Sequence, residues 1–257
     1  MDLISHEKIG GVCRLTMNAP SRLNALSDAM IAELHGTLDQ IATDQTIKAV
    51  IIAGAGKAFC AGHNLKEMQT KDPAALKDLF DRCTALMSRI QSLPQPVIAQ
   101  VHGIATAAGC QLVATCDLAV AAEDTKFGVN GVNIGLFCST PMVALTRNIS
   151  RKAAFEMLTT GRFILASEAQ TLGLINRSVP AENLADETLD MAQTIASKLA
   201  SAVRTGKSAF YAQAQMTTAD AYAFTGQTMV DNMANPDTAE GIAAFLEKRD
   251  PDWPSSG

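Results

Sequence analysis

The chain has 257 residues, of which 47% are hydrophobic and 18% are charged, and its formal net charge is -5. This composition is typical of one large or two small globular domains and excludes a disordered chain. The 21 basic residues are spread thinly, so the sequence lacks the basic patch with which proteins bind nucleic acid or anionic membranes. We therefore expect neither nucleic acid nor a membrane as a partner.

The N-terminus, the hydropathy pattern and the cysteines bear on location. Residues 1–6 lack the basic-then-apolar layout of a signal peptide, and no apolar run approaches the roughly 18 residues of a membrane helix. The six cysteines form no Cys-x-x-Cys pair and mostly lie in apolar segments, which is typical of buried thiols in a reducing compartment. We predict a cytoplasmic protein without a metal site.

Two hydrophobic periods alternate along the first half of the chain. Apolar residues at helical spacing recur over 27–43, where Ser27 is the expected N-cap, and over 73–93. Continuous apolar runs of strand length lie between these helices. Strands that alternate with helices predict a parallel sheet with helices packed outside it. The predicted strands are 3–6 and 11–17, which form a hairpin around Gly10 and Gly11, then 49–53, 97–101 and 118–122.

The pattern becomes almost wholly helical from about Pro141 onward. Its clearest helix is predicted over 181–199, where apolar residues lie on one face. We predict an α/β core over residues 1–200 and a C-terminal helical region over residues 201–257. From the pattern alone, this region supplies oligomer contacts or forms a helical cap on the same monomer.

Two loops rich in small residues follow predicted strands. The first, 54–68, has glycines at positions 54, 56 and 62, which allow tight turns that expose amide N–H groups. The second, 101–112, opens a helix whose free N–H groups and positive dipole end favour an oxyanion. Neither loop contains G-x-x-x-x-G-K-[ST] or G-x-G-x-x-G, the common phosphate-binding motifs. If the loops face each other, they form an oxyanion hole.

The sequence resembles the crotonase (enoyl-CoA hydratase/isomerase) superfamily over nearly its whole length. The resemblance implies an α/β spiral of ββα units with a C-terminal helical region, assembled as a homotrimer or a dimer of trimers. It also implies an acyl-CoA substrate, so that coenzyme A enters as part of the substrate and no separate cofactor is needed. The motifs that carry it are Leu-Asn-Ala-Leu at 23–26, segments 58–68 and 96–117, Phe-Gly at 127–128, Leu-Thr-Thr-Gly at 158–161, segment 169–174 and Phe-Leu-Glu-Lys-Arg at 245–249.

The same resemblance implies roles for individual residues. The amides of His63 and Ala108 are expected to bind the thioester oxygen. The implied contacts to coenzyme A come from the channel residues and from one residue of the C-terminal region: Asn64, Leu65, Lys66 and Lys248.

The pattern departs from the family at the two catalytic acids. Hydratases of this family hold a water between two glutamates, because addition across a double bond needs one group to remove a proton and another to deliver one. Aligned on the motifs, these positions are Gln111 and Gly131. Each missing acid or base is worth on the order of 10² to 10⁴ in rate. The sequence thus predicts the family scaffold with hydration reduced to near background.

Three side chains are candidates for the remaining catalytic work. His63 lies in the oxyanion loop, and some decarboxylases of the superfamily resemble this chain in having a histidine there. Cys138 is the nearest equivalent of a hydrogen-bonding side chain that those enzymes place beyond the second loop. As a nucleophile it would need a pKa depressed by a helix N-terminus or by His63. Gln111 either orients a water or acyl group, or is a satisfied buried amide.

The sequence therefore predicts an acyl-CoA enzyme, nominally an enoyl-CoA hydratase-type lyase of fatty acid metabolism, that holds a thioester enolate between the amides of His63 and Ala108. Two alternatives remain open. One is a decarboxylase or hydrolase of malonyl-type thioesters, and the other is a non-catalytic acyl-CoA-binding scaffold.

Overall fold

The computed structural model describes residues 2–253. Its centre is a six-stranded sheet with the strand order β1-β2-β3-β4-β6-β9, and a smaller sheet has the order β5-β7-β8. The strands are β1 (Ile4–Ile9), β2 (Val12–Met17), β3 (Ala49–Gly54), β4 (Val97–Val101), β5 (Ile104–Thr106), β6 (Leu118–Ala122), β7 (Lys126–Gly128), β8 (Phe163–Leu165) and β9 (Arg177–Val179).

Helices cover both faces of the large sheet. One face packs against a core that includes buried residues of α1, α3 and α4, while α8 lies across β2, β3, β4 and β6 on the other. The helices are α1 (Asp28–Thr43), α2 (Leu65–Met68), α3 (Pro73–Ser92), α4 (Ala108–Thr115), α5 (Pro141–Asn148), α6 (Arg151–Thr160), α7 (Ala166–Leu172), α8 (Leu184–Ala196), α9 (Ala200–Gln213), α10 (Thr218–Met233) and α11 (Pro236–Glu247).

The predicted hairpin, parallel strands and long helices of the first half are confirmed. β1 and β2 pair antiparallel, whereas β2, β3, β4, β6 and β9 pair in parallel. Ser27 caps α1, since its hydroxyl accepts the amide of Met30 at 3.2 Å. β3 is buried from Ala49 to Ala53, which is why its sequence is continuously apolar rather than alternating.

The smaller sheet was not predicted. Its strands β5, β7 and β8 have three residues each, too few for an alternating pattern to be recognised. Consequently the apolar run that begins at Ile104 divides into a strand and a helix, and the region after Pro141 is not wholly helical, because it contains β8 and β9. The proposed boundary at residue 200 stays a prediction, although α9 begins there.

The six cysteines are all buried, as their apolar neighbours predicted. Within residues 2–253, no helix combines the length and apolar character needed to cross a bilayer. No three His, Cys, Asp or Glu side chains of that segment cluster closely enough to hold a metal ion.

A buried ion pair joins α9 to the large sheet. Lys207 donates to Asp117 at 2.6 Å, and their side chains are only 6% and 14% exposed. Asp117 also accepts the hydroxyl of Tyr211 at 2.7 Å and the amide of Val97 at 2.6 Å. Burial lowers the pKa of Lys207, whereas the neighbouring carboxylate opposes that change. The first C-terminal helix is therefore fixed to its own chain by a charged network.

Removal of the carboxylate should destabilise the fold strongly. In Asp117→Ala, the ammonium of Lys207 keeps its bonds to the carbonyls of Ile90 and Gln95 but loses its buried counter-charge, and the hydroxyl of Tyr211 loses its acceptor. We therefore expect a loss of about 3–5 kcal/mol in the free energy of unfolding. Chemical denaturation measures this loss. The control Asp190→Ala removes an exposed carboxylate of α8 and should change stability by less than about 0.5 kcal/mol. Equal losses in the two variants would contradict a stabilising role for the network.

Candidate functional site

A cavity of about 540 Å³ lies where the two predicted loops meet. Four of the predicted site residues line it, namely His63, Leu65, Ala108 and Cys138, and so does Gly131, one of the two predicted glutamate replacements. Its walls are otherwise formed by the segment that precedes α5 and by side chains of α2 and α3. These further lining residues are Met68, Phe80, Ala107, Asn130, Asn133, Ile134, Leu136, Phe137, Ser139, Thr140 and Pro141.

Main-chain hydrogen bonds hold the two loops together. Cys60 donates its amide to Ile104 at 3.1 Å and accepts the amide of Thr106 at 3.0 Å. Beyond this contact, the backbone of α4 approaches so closely that a Cβ on Gly109 would lie 2.2 Å from the carbonyl oxygen of Cys60. Only glycine fits there, because any side chain would force the loops apart.

Two main-chain N–H groups at this junction are free. Neither His63 nor Ala108 donates its amide to any acceptor within residues 2–253. Ala108 is the first residue of α4, where the helix leaves its amides unused. The preceding residue, Ala107, has the strained angles φ 50° and ψ -119° and donates to Gly128 at 2.9 Å. A Cβ on Gly62 would lie 3.2 Å from the nitrogen of Ala108, so the loops are in near contact here.

The imidazole of His63, which lines the cavity, has one ring nitrogen paired and the other buried without a partner in the described chain. Its Nδ1 lies 3.2 Å from the carbonyl oxygen of Leu26, and because a carbonyl only accepts, Nδ1 carries the hydrogen. Nε2 is buried without a partner in the described chain and so offers its lone pair. Burial lowers the pKa of His63, while the ring packs edge-on against Phe80 at 5.5 Å.

Cys138 is buried beside Gly131, whose amide donates to its Sγ at 3.4 Å. Burial raises the pKa of the thiol. A nucleophile would need the opposite shift, so the thiol is neutral at physiological pH. A direct role for Cys138 stays a prediction, as a weak hydrogen-bonding group rather than as a thiolate.

Gln111 does not line this cavity. It is 6% exposed and lines a separate cleft together with Thr115 and Arg147. Its side-chain oxygen has no partner in residues 2–253. Gln111 nevertheless lies one helical turn from Ala108 in α4, and Thr140 lines both the cleft and the cavity.

The predicted contacts to coenzyme A are dispersed. Asn64 caps α2 by accepting the amide of Glu67 at 3.5 Å, and Lys66 is exposed on that helix. Lys248 is an exposed residue in the left-handed conformation, with φ 56°, at the end of α11. Of these predicted contacts, Leu65 lines the cavity, whereas the other three do not.

The sequence did not single out Phe80, Asn130 or Asn133 as lining residues. Asn130 accepts the hydroxyl of Thr106, and Asn133 donates to the carbonyl of Gly161 at 3.3 Å. The glycine of the Leu-Thr-Thr-Gly motif could have indicated a close contact at this point of the chain. A Cβ on Gly161 would lie 2.4 Å from the Oδ1 of Asn133, so the asparagine fits only beside a glycine. Phe80 lines the cavity from α3, and the helical spacing of apolar residues in that segment predicted only core packing.

Gly131 has no room for a side chain. A Cβ there would lie 2.4 Å from the carbonyl oxygen of Leu136 and 3.0 Å from the Sγ of Cys138. A glutamate at Gly131 would therefore displace the loop.

The structure predicts the protonation state of His63. Nuclear magnetic resonance of the imidazole nitrogens, assigned with His63→Gln, should show hydrogen on Nδ1 and a pKa below the usual 6.5. Because the folded pKa is lower than the unfolded one, stability should decrease as the pH falls below about 6.5. The variant should lose this part of the pH dependence. Hydrogen on Nε2 or a raised pKa would contradict the assignment.

Contact between the loops should depend on glycine at position 109. We expect Gly109→Ala to cost about 1–3 kcal/mol, as overpacking does, because its methyl group would press on Cys60. Thermal or chemical unfolding measures the loss. Gly36→Ala is the matched control, since a Cβ on this helical glycine meets nothing within 4 Å and should be neutral or stabilising. A similar effect of both substitutions would show that the backbone at Gly109 is not in close contact with the carbonyl of Cys60.

Comparison with known proteins identifies the family of the chain. The Enoyl-CoA hydratase/isomerase family model matches residues 7–256. Enoyl-CoA hydratase domain-containing protein 3 of Homo sapiens, described as mitochondrial, is 45% identical over 97% of this chain and 82% of its own. The 2,3-dehydroadipyl-CoA hydratase of Escherichia coli is 35% identical over 94% of each chain.

Solved structures agree with this assignment. An enoyl-CoA hydratase of Mycobacterium smegmatis is 53% identical and superposes with a TM-score of 0.96 over 98% of both chains. The human domain-containing protein 3 is 44% identical and superposes with a TM-score of 0.95 over 98% of this chain and 100% of its own. The predicted α/β crotonase-like fold is therefore confirmed.

The predicted cytoplasmic location is wrong by this comparison. Relatives from Xenopus laevis, Mus musculus and Homo sapiens, 45–46% identical to the chain, are described as mitochondrial proteins. The absence of a secretory pattern bears only on export, so it does not distinguish the cytoplasm from an organelle. Both the sequence match and the shared fold lead to one conclusion: the chain belongs to the enoyl-CoA hydratase/isomerase family.

Proposed function

We propose that the protein is an acyl-CoA thioester enzyme that stabilises a thioester enolate with the amides of His63 and Ala108. The observation that carries the proposal is that both residues line one cavity and that neither amide has an acceptor in the described chain. Donors fixed before the reaction stabilise developing negative charge strongly, since they need not reorganise. Coenzyme A is part of the substrate in this proposal, and no separate cofactor takes part.

The titratable groups of the cavity favour chemistry that needs no carboxylate pair. Among its described lining residues, only His63 and Cys138 have side chains that titrate near the physiological range, and neither is a carboxylate. The lowered pKa of His63 and the raised pKa of Cys138 leave both neutral at physiological pH. We propose that the glutamates of a two-acid hydratase are replaced here, at the positions of Gln111 and Gly131, and that hydration is slow.

Decarboxylation of a malonyl-type thioester fits these groups better. The bond between the α-carbon and the carboxylate breaks, carbon dioxide leaves, and the electron pair moves into the thioester to give the enolate. Solvent then returns a proton to the α-carbon. The step consumes no base, so it depends on the two amides more than on a titratable side chain.

The family resemblance implies which residues contact coenzyme A. We propose that Asn64 to Lys66 border the channel and that Lys248 meets a phosphate of coenzyme A. Since Lys248 does not line the cavity of its own chain, an assembly into trimers or dimers of trimers would bring such a residue from a neighbour. The C-terminal helices support self-association, because Phe210, Tyr222 and Phe245 are 65%, 76% and 81% exposed.

Binding is the first test. Acetyl-CoA and a malonyl-type CoA ester should raise the melting temperature, because a ligand at 100 times its Kd stabilises the folded state by about 2.7 kcal/mol. A flat response at millimolar ligand would remove the proposal. Binding without turnover of any CoA ester would instead favour a non-catalytic acyl-CoA-binding scaffold.

The reaction is tested by substitution at the first residue of α4. Ala108→Pro removes one N–H that the helix does not use, at a helix position where proline occurs. Because Ala107, with φ 50° and ψ -119°, lies outside the extended range favoured before proline, the native fold of the variant is established first by circular dichroism and thermal melting. We expect carbon dioxide release from a malonyl-type thioester to fall by about 10² to 10³, the effect of losing one oxyanion donor. Thr218→Pro is the control, as it places proline at the exposed start of α10.

Product analysis separates the candidate reactions. Carbon dioxide, free coenzyme A and hydrated product report decarboxylation, hydrolysis and hydration, respectively. Equal activity of Ala108→Pro and the parent protein, with both folded by thermal melting, would contradict the role of the amide. Hydration of an enoyl-CoA at the rate of a two-glutamate enzyme would contradict the proposed loss of that chemistry.

A further inference from the structure

Two strands of the small sheet end side by side at the main cavity. β5 and β7 pair in parallel, with Thr106 opposite Gly128. Ala108 follows the end of β5 by two residues, and Asn130 follows the end of β7 by two residues. Adjacent strands lie about 4.8 Å apart, so Ala108 and Asn130 leave the sheet as neighbours. Both of them line the cavity.

The side-chain amide of Asn130 is paired at one end only. Its Oδ1 accepts the hydroxyl of Thr106, and the amide of Thr106 donates to the carbonyl of Cys60 at 3.0 Å. Its Nδ2 donates to no acceptor in residues 2–253 and, unlike the Nε2 of His63, is not closed off by burial. The main-chain contact between the two loops thus also orients two N–H hydrogens that no described protein atom accepts.

The other lining residues indicate what such a donor binds. The described lining contains no carboxylate, lysine or arginine, and its two titratable groups, His63 and Cys138, are neutral. An anionic group is therefore not repelled in the cavity. An N–H group needs an acceptor, and an ionised acceptor forms a stronger hydrogen bond than a neutral one. A carboxylate of the substrate meets both conditions.

A neutral donor also suits a carboxylate that has to leave as carbon dioxide. In the transition state of decarboxylation, the negative charge moves from the carboxylate to the thioester. A cation at the carboxylate would stabilise the ground state more than this transition state and would slow the reaction. A side-chain amide instead orients the bond that breaks and holds the charge less strongly.

We propose that Asn130 binds the carboxylate of the substrate through Nδ2 and thereby selects malonyl-type thioesters over acyl-CoA esters that lack this group. The inference rests on the proposed function, because the thioester oxygen must lie at the amides of His63 and Ala108. One carbon separates the thioester carbonyl from the carboxylate, so a malonyl group is short enough to contact two neighbouring residues. The bond from this carbon to the carboxylate breaks, its electron pair enters the enolate, carbon dioxide leaves Asn130, and solvent returns a proton to the carbon.

Calorimetric titration of the full chain tests this assignment with two CoA esters of similar shape. Sulfoacetyl-CoA has an anionic sulfonate in place of the carboxylate and releases no carbon dioxide during the titration. In 3,3-dimethylbutanoyl-CoA, three methyl groups stand in place of the three sulfonate oxygens. The ratio of the two affinities measures recognition of the anion, because the coenzyme A and thioester parts are the same in both ligands.

Variants of Asn130 locate the recognition. Asn130→Asp keeps an acceptor for Thr106 but replaces the two hydrogens by a charged oxygen. At pH 8, where an aspartate is ionised, the preference for the sulfonate should fall about tenfold or more, since a charge-assisted hydrogen bond is lost and repulsion is added. Asn130→Ala removes the donor without adding charge, and its preference should fall in the same direction.

The matched control is Asn183→Asp, which makes the same change of charge elsewhere. Asn183 is exposed before α8 and its side chain does not cap that helix. This variant should keep the preference of the parent protein and its rate of carbon dioxide release from malonyl-CoA, whereas Asn130→Asp should release carbon dioxide more slowly. Thermal melting of each variant establishes that it is folded.

Each outcome bears on a different statement. An unchanged preference in the folded Asn130 variants overturns the role of Asn130 and leaves the proposed function intact. An equal fall in Asn183→Asp also overturns it, because the effect would then be one of net charge. Failure of both esters to bind the parent protein overturns the inference and the proposed function together.

Discussion

The main-chain contact between Cys60 and the strand that precedes α4 is the constraint on which the site depends. Hydrogen bonds on both sides of Cys60, to Ile104 and from Thr106, fix one loop against the other. Glycine at position 109 then lets the helix backbone come under the carbonyl of Cys60. Because the attachment uses main-chain atoms, the amides of His63 and Ala108 are positioned by the backbone rather than by rotatable side chains.

Strain at one residue accompanies this arrangement. Ala107 has a positive φ, a conformation that costs an alanine free energy and persists only where the surroundings enforce it. Here the small sheet provides the enforcement, as the amide of Ala107 donates to Gly128 at the end of β7. Pairing of β7 with β5 and β8 holds that strand. Three short strands therefore fix the point at which a helix begins and its N–H groups become available.

The electrostatics of the cavity follow from its walls. Burial makes the imidazole of His63 and the thiol of Cys138 neutral by shifting their pKa values in opposite directions. A cavity with neutral side chains leaves fixed dipoles as the principal means of stabilising charge. This favours a reaction in which negative charge develops on one oxygen over one that needs two proton-transfer groups.

Resemblance of its motifs to a known family implied His63, Leu65, Ala108 and Cys138 as site residues, and all four line the main cavity. The sequence by itself determined the parallel sheet, the long helices and the two loops. These follow from local signals, since strand runs, helix caps and glycines act over a few residues. The small sheet, the placement of Gln111 in a separate cleft and the lack of room at Gly131 were decided by tertiary structure. Each depends on contacts between atoms of segments that are far apart in the sequence. The periodicity or motif of a single segment does not contain the distance between such atoms.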